Sequence, residues 1–177
     1  MRHIPNLLCA LRILLAPWAA YLITRHDYRQ AFYVFAVAAW SDFFDGQLAR
    51  RMNWNSRIGA YLDPAADKIL MSVVYVAMGV AQAIPWWLVA LVFGRDLVIL
   101  TGAALLHRRL GKTEFPPTAA GKVSTALQLL AVVIVLLVDA GYIWEVLRMP
   151  AVYAAAVGTT CSGLDYVRRG WLMMRGI

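Results

Sequence analysis

The sequence predicts an all-α integral membrane protein with six transmembrane helices and both termini on the cytoplasmic side. Of its 177 residues, 62% are hydrophobic and only 15% are charged, and the mean hydropathy is +0.62. A soluble surface needs a larger polar share than this. The same apolar content excludes a disordered chain, and two cysteines in separate apolar stretches support no disulfide framework.

Each predicted helix is an apolar stretch close to the length, about 20 residues, that crosses the hydrocarbon core. Lipid offers no partner to an open backbone, and the stretches lack the two-residue alternation of a barrel, so helices are expected. Because no linker or internal repeat divides the sequence, we expect one membrane domain over residues 1–177. The stretches lie near residues 5–24, 31–51, 60–83, 86–107, 119–141 and 147–167.

The net charge of +7 comes from Lys and Arg residues scattered between the apolar stretches. They form no basic domain, so membrane orientation explains them better than nucleic acid, and no nucleic-acid partner is expected. The positive-inside rule places the more basic connections, and both termini with them, in the cytoplasm. That side carries Arg2, Arg50, Arg51, Arg57, Arg108, Arg109, Lys112, Arg168, Arg169 and Arg175, and the other carries Arg25, Arg29 and Arg148.

Five carboxylates lie well inside predicted spans, where each costs about 3 kcal/mol unless it meets a partner or a cavity. Four of them form two pairs. At about 100° per residue, Asp42 and Asp45 share one face of the second helix, and Asp63 and Asp67 share one face of the third. The turn between these helices gives both pairs a similar depth, so adjacent antiparallel helices would bring the four carboxylates together. The fifth acid is Asp96.

Four carboxylates in a low-dielectric site need cations. Arg50 and Lys68 are close in sequence, but two basic side chains do not balance four acids. Oxygen-only ligands suit hard divalent ions such as Mg2+ or Mn2+, and two such ions can hold a diphosphate and stabilise charge on the attacking and leaving oxygens. The pattern therefore predicts phosphoryl-type transfer with two divalent ions.

Small residues beside the acids leave room for a bulky ligand. Gly46 and Ala49 fall within about 40° of Asp42 on the second helix, and Arg50 at its cytoplasmic end is placed to contact phosphate.

A second interpretation of Asp63 stays open, because the start of the third helix is uncertain. Pro64 is typical of a first helical turn, in which case the preceding aspartate would be the helix cap.

Together these residues read Asp42-x-x-Asp45-Gly46-x-x-Ala49-Arg50, then eight residues, then Gly59-x-x-x-Asp63-x-x-x-Asp67. With every position filled, the pattern resembles the signature of the CDP-alcohol phosphatidyltransferase family. The resemblance implies a six-helix, usually homodimeric membrane enzyme in which an alcohol attacks a CDP-linked diphosphate and CMP is released. It also implies metal ligands at Asp42, Asp45, Asp63 and Asp67, a general base at Asp67, and a CDP-binding surface that includes Asn6, Gly46, Ala49, Arg50 and Gly59.

Two further stretches, residues 4–8 with Arg12 and residues 63–68, resemble the branch of the family that makes phosphatidylglycerophosphate or cardiolipin. Residues 121–128 are closer to eukaryotic-type cardiolipin synthases. Phosphatidylglycerophosphate synthases usually have Arg-Glu where this chain has Arg95-Asp96, and a further Arg in place of Ala103. Glycerol 3-phosphate is a dianion that calls for several cations, whereas phosphatidylglycerol is a monoanion. We therefore expect transfer from CDP-diacylglycerol to phosphatidylglycerol, giving cardiolipin, with Arg95 and Lys122 binding the acceptor.

Several alternatives stay open. Glycerol 3-phosphate is the second acceptor hypothesis, and an ion- or proton-coupled transporter is the non-enzyme alternative, since buried acids also line ion pathways. Arg95 or Lys122 would pair with Asp96 or another buried acid if their role were only structural. Asp165 is expected to form a solvated ion pair with a nearby arginine. The expected location is the bacterial inner membrane, with the active site facing the cytoplasm.

Overall fold

The described residues of a computed structural model form six α-helices, in the order that the sequence predicts. The structure describes the backbone of residues 4–52, 57–110 and 118–174, and the side chains of 12–41, 68–105 and 118–173. No strand occurs in these ranges. The helices are α1 (Ile4–Thr24), α2 (Tyr28–Met52), α3 (Arg57–Val80), α4 (Trp86–Leu110), α5 (Ala119–Asp139) and α6 (Arg148–Met174), with a short 3-10 helix at Glu145–Leu147 before α6.

Two of the helices are long and apolar enough to cross a membrane by themselves. Within the described residues these are Trp86–Leu105, with a hydropathy of 1.9, and Ala119–Asp139, with a hydropathy of 2.2. The described parts of α1 and α3 contribute shorter apolar segments, Arg12–Thr24 and Lys68–Val80. The prediction of six helices is confirmed, whereas six membrane crossings and the cytoplasmic position of both termini stay predictions.

The chain divides into two compact units. The first comprises Met1–Ala83 and Leu136–Ile143, and the second comprises Ile84–Val135 and Trp144–Ile177. In the first unit α1 packs against both α2 and α3. The contact face of α1 carries the fully buried small residues Ala16 and Ala19, which let helix backbones approach closely, as in membrane proteins generally.

In the second unit α4 packs against α6. Its core combines apolar residues such as Leu88 and Val152 with buried hydroxyl and amide groups, a mixture that requires hydrogen bonds inside the unit. The prediction of one domain over residues 1–177 concerns the whole chain and stays a prediction.

Three helices end in the same way. The second residue after α1, α3 and α5 has a positive φ, at His26 (61°), Gln82 (58°) and Gly141 (77°). After α5 the Gly141 N–H donates to the Val138 carbonyl and the Tyr142 N–H to the Leu137 carbonyl, both at 2.9 Å. This is the Schellman arrangement, which satisfies carbonyls that a helix end otherwise leaves open.

The last helix is longer than its apolar stretch. Hydropathy predicts an end near residue 167, but α6 continues to Met174. In this extension Arg169 Nε donates to Asp165 Oδ1 at 3.1 Å, one helical turn away. The predicted ion pair of Asp165 is therefore confirmed, with Arg169 as the partner.

The positive φ at Gly141 predicts a specific sensitivity to substitution. Gly141→Ala should destabilise the protein by about 1 kcal/mol, because L-residues strain in the left-handed region. The new methyl group has open space around it, so sterics with neighbouring groups contribute nothing. Thermal unfolding in detergent measures the effect. Gly102→Ala is the matched control, since Gly102 also has open space but lies inside α4, where alanine is favourable. Equal destabilisation by both variants would contradict this explanation.

Candidate functional site

The residues of the aspartate motif lie on two helices of the first unit. Asp42 and Asp45 lie in α2, and Asp63 and Asp67 lie in α3. The helical spacing used in the sequence argument therefore applies to both pairs. Their side chains, and those of the expected CDP-binding residues, lie outside the described residues. This second group comprises Asn6 of α1, Gly46, Ala49 and Arg50 of α2, and Gly59 of α3.

The start of α3 decides between two interpretations of Asp63. The helix begins at Arg57, ahead of both Asp63 and Pro64. The alternative that Pro64 occupies the first helical turn, with Asp63 as the helix cap, is therefore wrong. Asp63 lies inside α3 rather than at its start, so helix capping does not explain why an acid occurs at this position.

The donor chemistry of the motif fits a hard divalent cation. Four carboxylates on two helices supply only oxygen ligands, the set that Mg2+ and Mn2+ prefer. Among the described side chains, no group of three or more His, Cys, Asp or Glu residues is placed to hold a metal.

Arg95 of α4 occupies a defined position in the second unit. Its Nη1 donates to Asp96 Oδ1 at 2.8 Å, and its Nε and Nη2 donate to Ser162 Oγ at 3.3 and 3.1 Å. Its Cζ lies 5.8 Å from the centre of the Tyr166 ring, and its side chain is 9% exposed. The pairing with Asp96, an alternative that the sequence left open, is therefore present. A guanidinium has five N–H groups, so these three bonds leave one N–H on each terminal nitrogen for a ligand.

Lys122 lies in the first turns of α5, near a well-defined helix start. Thr118 is the cap, because its Oγ1 accepts a hydrogen bond from the Gly121 N–H at 2.9 Å. The Thr118 N–H in turn donates to the Tyr166 hydroxyl at 3.3 Å. The Lys122 side chain is exposed, and within the described residues it forms no ion pair with Asp96, which pairs with Arg95.

A further group of polar residues connects α5 with α6 in the second unit. Gln128 Nε2 donates to Thr159 Oγ1 at 2.8 Å, and the Thr159 hydroxyl donates to the Ala155 carbonyl at 2.7 Å. Sequence reasoning missed Thr159, Ser162 and Tyr166. The signal was present, since these positions in an otherwise apolar stretch recur at three- and four-residue intervals, which places them on one helix face.

An apolar groove runs beside Arg95 on the surface of the second unit. It has a volume of about 340 Å³ and is formed by α4 and α6. Small residues keep it open, since neither Gly94 nor Gly163 carries a side chain to fill it. Its lining consists of Ala90, Leu91, Gly94, Arg95, Val98, Thr159, Thr160, Gly163, Leu164 and Val167.

The aspartate motif and the helical fold define a membrane protein of the class indicated by the sequence signature. A model of the family described as CDP-alcohol phosphatidyltransferase matches residues 2–160, and the chain belongs to this family. Members of this family generally use divalent metal ions. The predicted resemblance is thereby confirmed.

Curated relatives carry two kinds of name. The chain is 39% identical over 145 residues to "Cardiolipin synthase (CMP-forming)" of Homo sapiens, covering 73% of this chain and 48% of the relative. It is 32% identical over 185 residues to "Probable cardiolipin synthase (CMP-forming)" of Drosophila melanogaster, covering 93% and 56%. It is 37% identical over 180 residues to "CDP-diacylglycerol--glycerol-3-phosphate 3-phosphatidyltransferase" of Pseudomonas fluorescens, covering 96% and 90%. The chain thus spans about half the length of the first two relatives.

The different surroundings of Asp96 and Asp165 predict different costs of removing them. Asp96→Ala should destabilise the protein by about 2 kcal/mol, because it leaves the mostly buried Arg95 guanidinium without its carboxylate. Asp165→Ala breaks a more exposed pair, in which Arg169 is 49% exposed, and should change stability by less than about 0.5 kcal/mol. Thermal or denaturant unfolding in detergent compares the two. A larger loss for Asp165→Ala would contradict the assigned burial.

Proposed function

We propose that this protein transfers a phosphatidyl group from CDP-diacylglycerol to phosphatidylglycerol, giving cardiolipin and CMP. One observation carries the proposal. The complete eight-position aspartate motif occurs in a chain that belongs to the CDP-alcohol phosphatidyltransferase family and is similar to relatives named cardiolipin synthase. Family membership also favours group transfer over the transporter alternative.

The proposed step is a substitution at the phosphorus that bears the diacylglycerol. The acceptor hydroxyl oxygen forms the new P–O bond, the phosphoanhydride bond to CMP breaks, and CMP leaves with that electron pair. The Asp67 carboxylate accepts the proton of the acceptor hydroxyl. Asn6, Gly46, Ala49, Arg50 and Gly59 bind the CDP group. Two divalent ions, Mg2+ or Mn2+, held by Asp42, Asp45, Asp63 and Asp67, would neutralise the diphosphate charge.

The charge around Arg95 supports a monoanionic acceptor. Asp96 already offsets one positive charge beside the proposed acceptor-binding residue. A dianionic phosphomonoester calls for more cations than Arg95 and Lys122 would then supply. The apolar groove beside Arg95 also suits an acceptor with acyl chains better than a small soluble one. These observations favour phosphatidylglycerol.

Glycerol 3-phosphate is the second candidate acceptor, in which case the product is phosphatidylglycerophosphate. The specific observation in its favour is the relative from Pseudomonas fluorescens, because the match covers 90% of that protein. The name of this relative includes glycerol 3-phosphate. The two candidates share the donor, the leaving group and the motif aspartates, and they differ only in the acceptor.

The membrane setting belongs to the same proposal. The protein forms one membrane domain, crosses the bacterial inner membrane six times and has both termini and the active site at the cytoplasmic side. The distribution of Lys and Arg supports this orientation. A homodimer is proposed on the resemblance to the family.

Replacing Asp67 tests the proposed base. Asp67→Asn removes a base and a metal ligand with little change in volume, so CMP release should fall by at least about 100-fold. Asp27→Asn is the matched control, since Asp27 lies outside the motif and caps α2 through a 3.2 Å bond from the Gln30 N–H, which asparagine can also accept. Purified variants are assayed for CMP with CDP-diacylglycerol and acceptor. Normal turnover by Asp67→Asn would remove this residue from the mechanism.

The acceptor is identified by incubating purified protein with CDP-diacylglycerol and either phosphatidylglycerol or glycerol 3-phosphate, followed by mass spectrometry of the lipids. Cardiolipin with phosphatidylglycerol, and no product with glycerol 3-phosphate, is the expected result. Phosphatidylglycerophosphate as the sole product would favour the second candidate.

Chelation of divalent metal should stop CMP release, and Mg2+ or Mn2+ should restore it. Full activity in metal-free buffer would contradict the metal role.

A further inference from the structure

Tyr166 of α6 lies against both elements that carry the proposed acceptor-binding residues. Its ring faces the Arg95 guanidinium of α4, and its hydroxyl accepts a hydrogen bond at the start of α5, close in sequence to Lys122. Ser162, one turn earlier on α6, also bonds Arg95. We propose that Ser162 and Tyr166 are positioning residues that fix these two cations for the acceptor. The inference rests on the proposed acceptor role of Arg95 and Lys122.

Ser162 determines how the Arg95 guanidinium is oriented. The serine is fully buried, and its Oγ accepts hydrogen bonds from both Nε and Nη2. A single acceptor that takes two N–H groups from one edge of a planar guanidinium fixes the direction of that plane. The Asp96 carboxylate takes one N–H of Nη1. The other N–H groups of the terminal nitrogens are then presented in one fixed direction.

Tyr166 connects that guanidinium with the start of α5. Its ring centre lies 5.8 Å from Arg95 Cζ, within the range of a cation–π contact. Its hydroxyl accepts the Thr118 N–H, and Thr118 in turn caps α5 at the Gly121 N–H. The fit is close, because a Cβ at Gly121 would lie 2.8 Å from the tyrosine hydroxyl oxygen. A displaced Tyr166 would therefore disturb Arg95 and the first turn of α5 together.

The positioning role predicts a selective kinetic effect. Ser162→Ala removes the hydrogen-bond acceptor of the Arg95 guanidinium, and Tyr166→Leu removes both the cation–π contact and the bond from the Thr118 N–H. Each variant should raise the KM for the acceptor by about tenfold. The KM for CDP-diacylglycerol should stay within about twofold of the wild type. Assays use purified full-length protein in mixed micelles, with phosphatidylglycerol as acceptor, or glycerol 3-phosphate if that compound reacts. CMP release is measured while donor and acceptor are varied separately.

Matched controls lie on α4 and α6 outside the apolar groove. Thr101→Ala removes an exposed hydroxyl that donates to its own helix at Leu97, and Tyr153→Leu removes an exposed ring that stacks on Trp87. Both should leave the acceptor KM unchanged. If Tyr166→Leu fails to fold, Tyr166→Phe keeps the ring and removes the bond to Thr118, and a smaller rise of about threefold is expected.

Arg95→Ala separates failure of this inference from failure of the proposed function. An unchanged acceptor KM in Arg95→Ala would contradict the acceptor role itself. A raised KM in Arg95→Ala, together with wild-type values in Ser162→Ala and Tyr166→Leu, would overturn the positioning role alone. Equal changes in donor KM, acceptor KM and kcat for Ser162→Ala would also overturn it, because they indicate a general structural loss rather than acceptor positioning.

Discussion

Every polar group on an apolar helix must find a hydrogen-bond partner, since burying such a group without one costs more free energy than a typical bond returns. The described hydroxyl groups satisfy this constraint largely within their own helices. Ser41, Thr101, Thr125, Thr159 and Thr160 each donate to a carbonyl one turn earlier. Such bonds leave the helix surface apolar. Several of the described polar groups that do not bond in this way connect different helices.

Among the described side chains, three inter-helix bonds lie in the second unit. Arg95 bonds Ser162, Thr118 bonds Tyr166, and Gln128 bonds Thr159. Each pair has one partner on α6, so this helix joins α4 and α5 through polar contacts as well as apolar packing. A fixed arginine in such surroundings costs stability to bury. Its retention is explained if the guanidinium presents its remaining N–H groups to an anionic ligand, which is the role proposed for Arg95.

The sequence predicts the helices well because their cause is local. Apolar length alone places six helices, and each begins within three residues of the predicted position, as α4 does at Trp86. The helix ends are predicted less well. His26 and Gln82 take a left-handed conformation normally signalled by glycine, and α6 extends beyond its apolar stretch to Met174. The Arg95–Asp96 pair was foreseeable from adjacency, whereas the contacts of Arg95 with Ser162 and Tyr166 depend on how α4 and α6 pack.

The aspartate motif can be recognised from a local sequence pattern, whereas the contacts of Arg95 depend on helix packing. The aspartate motif is compact in sequence because metal and diphosphate chemistry needs several ligands at helical spacing, so a pattern on α2 and α3 can reveal it. Acceptor recognition has no such requirement, because one cation can be held by any helix that packs beside it. Ser162 and Tyr166 lie after residue 160, where the family match ends. We therefore infer that substitutions in α6 can change acceptor binding while the aspartate motif of α2 and α3 stays intact, so that acceptor specificity can change separately from the proposed transfer chemistry.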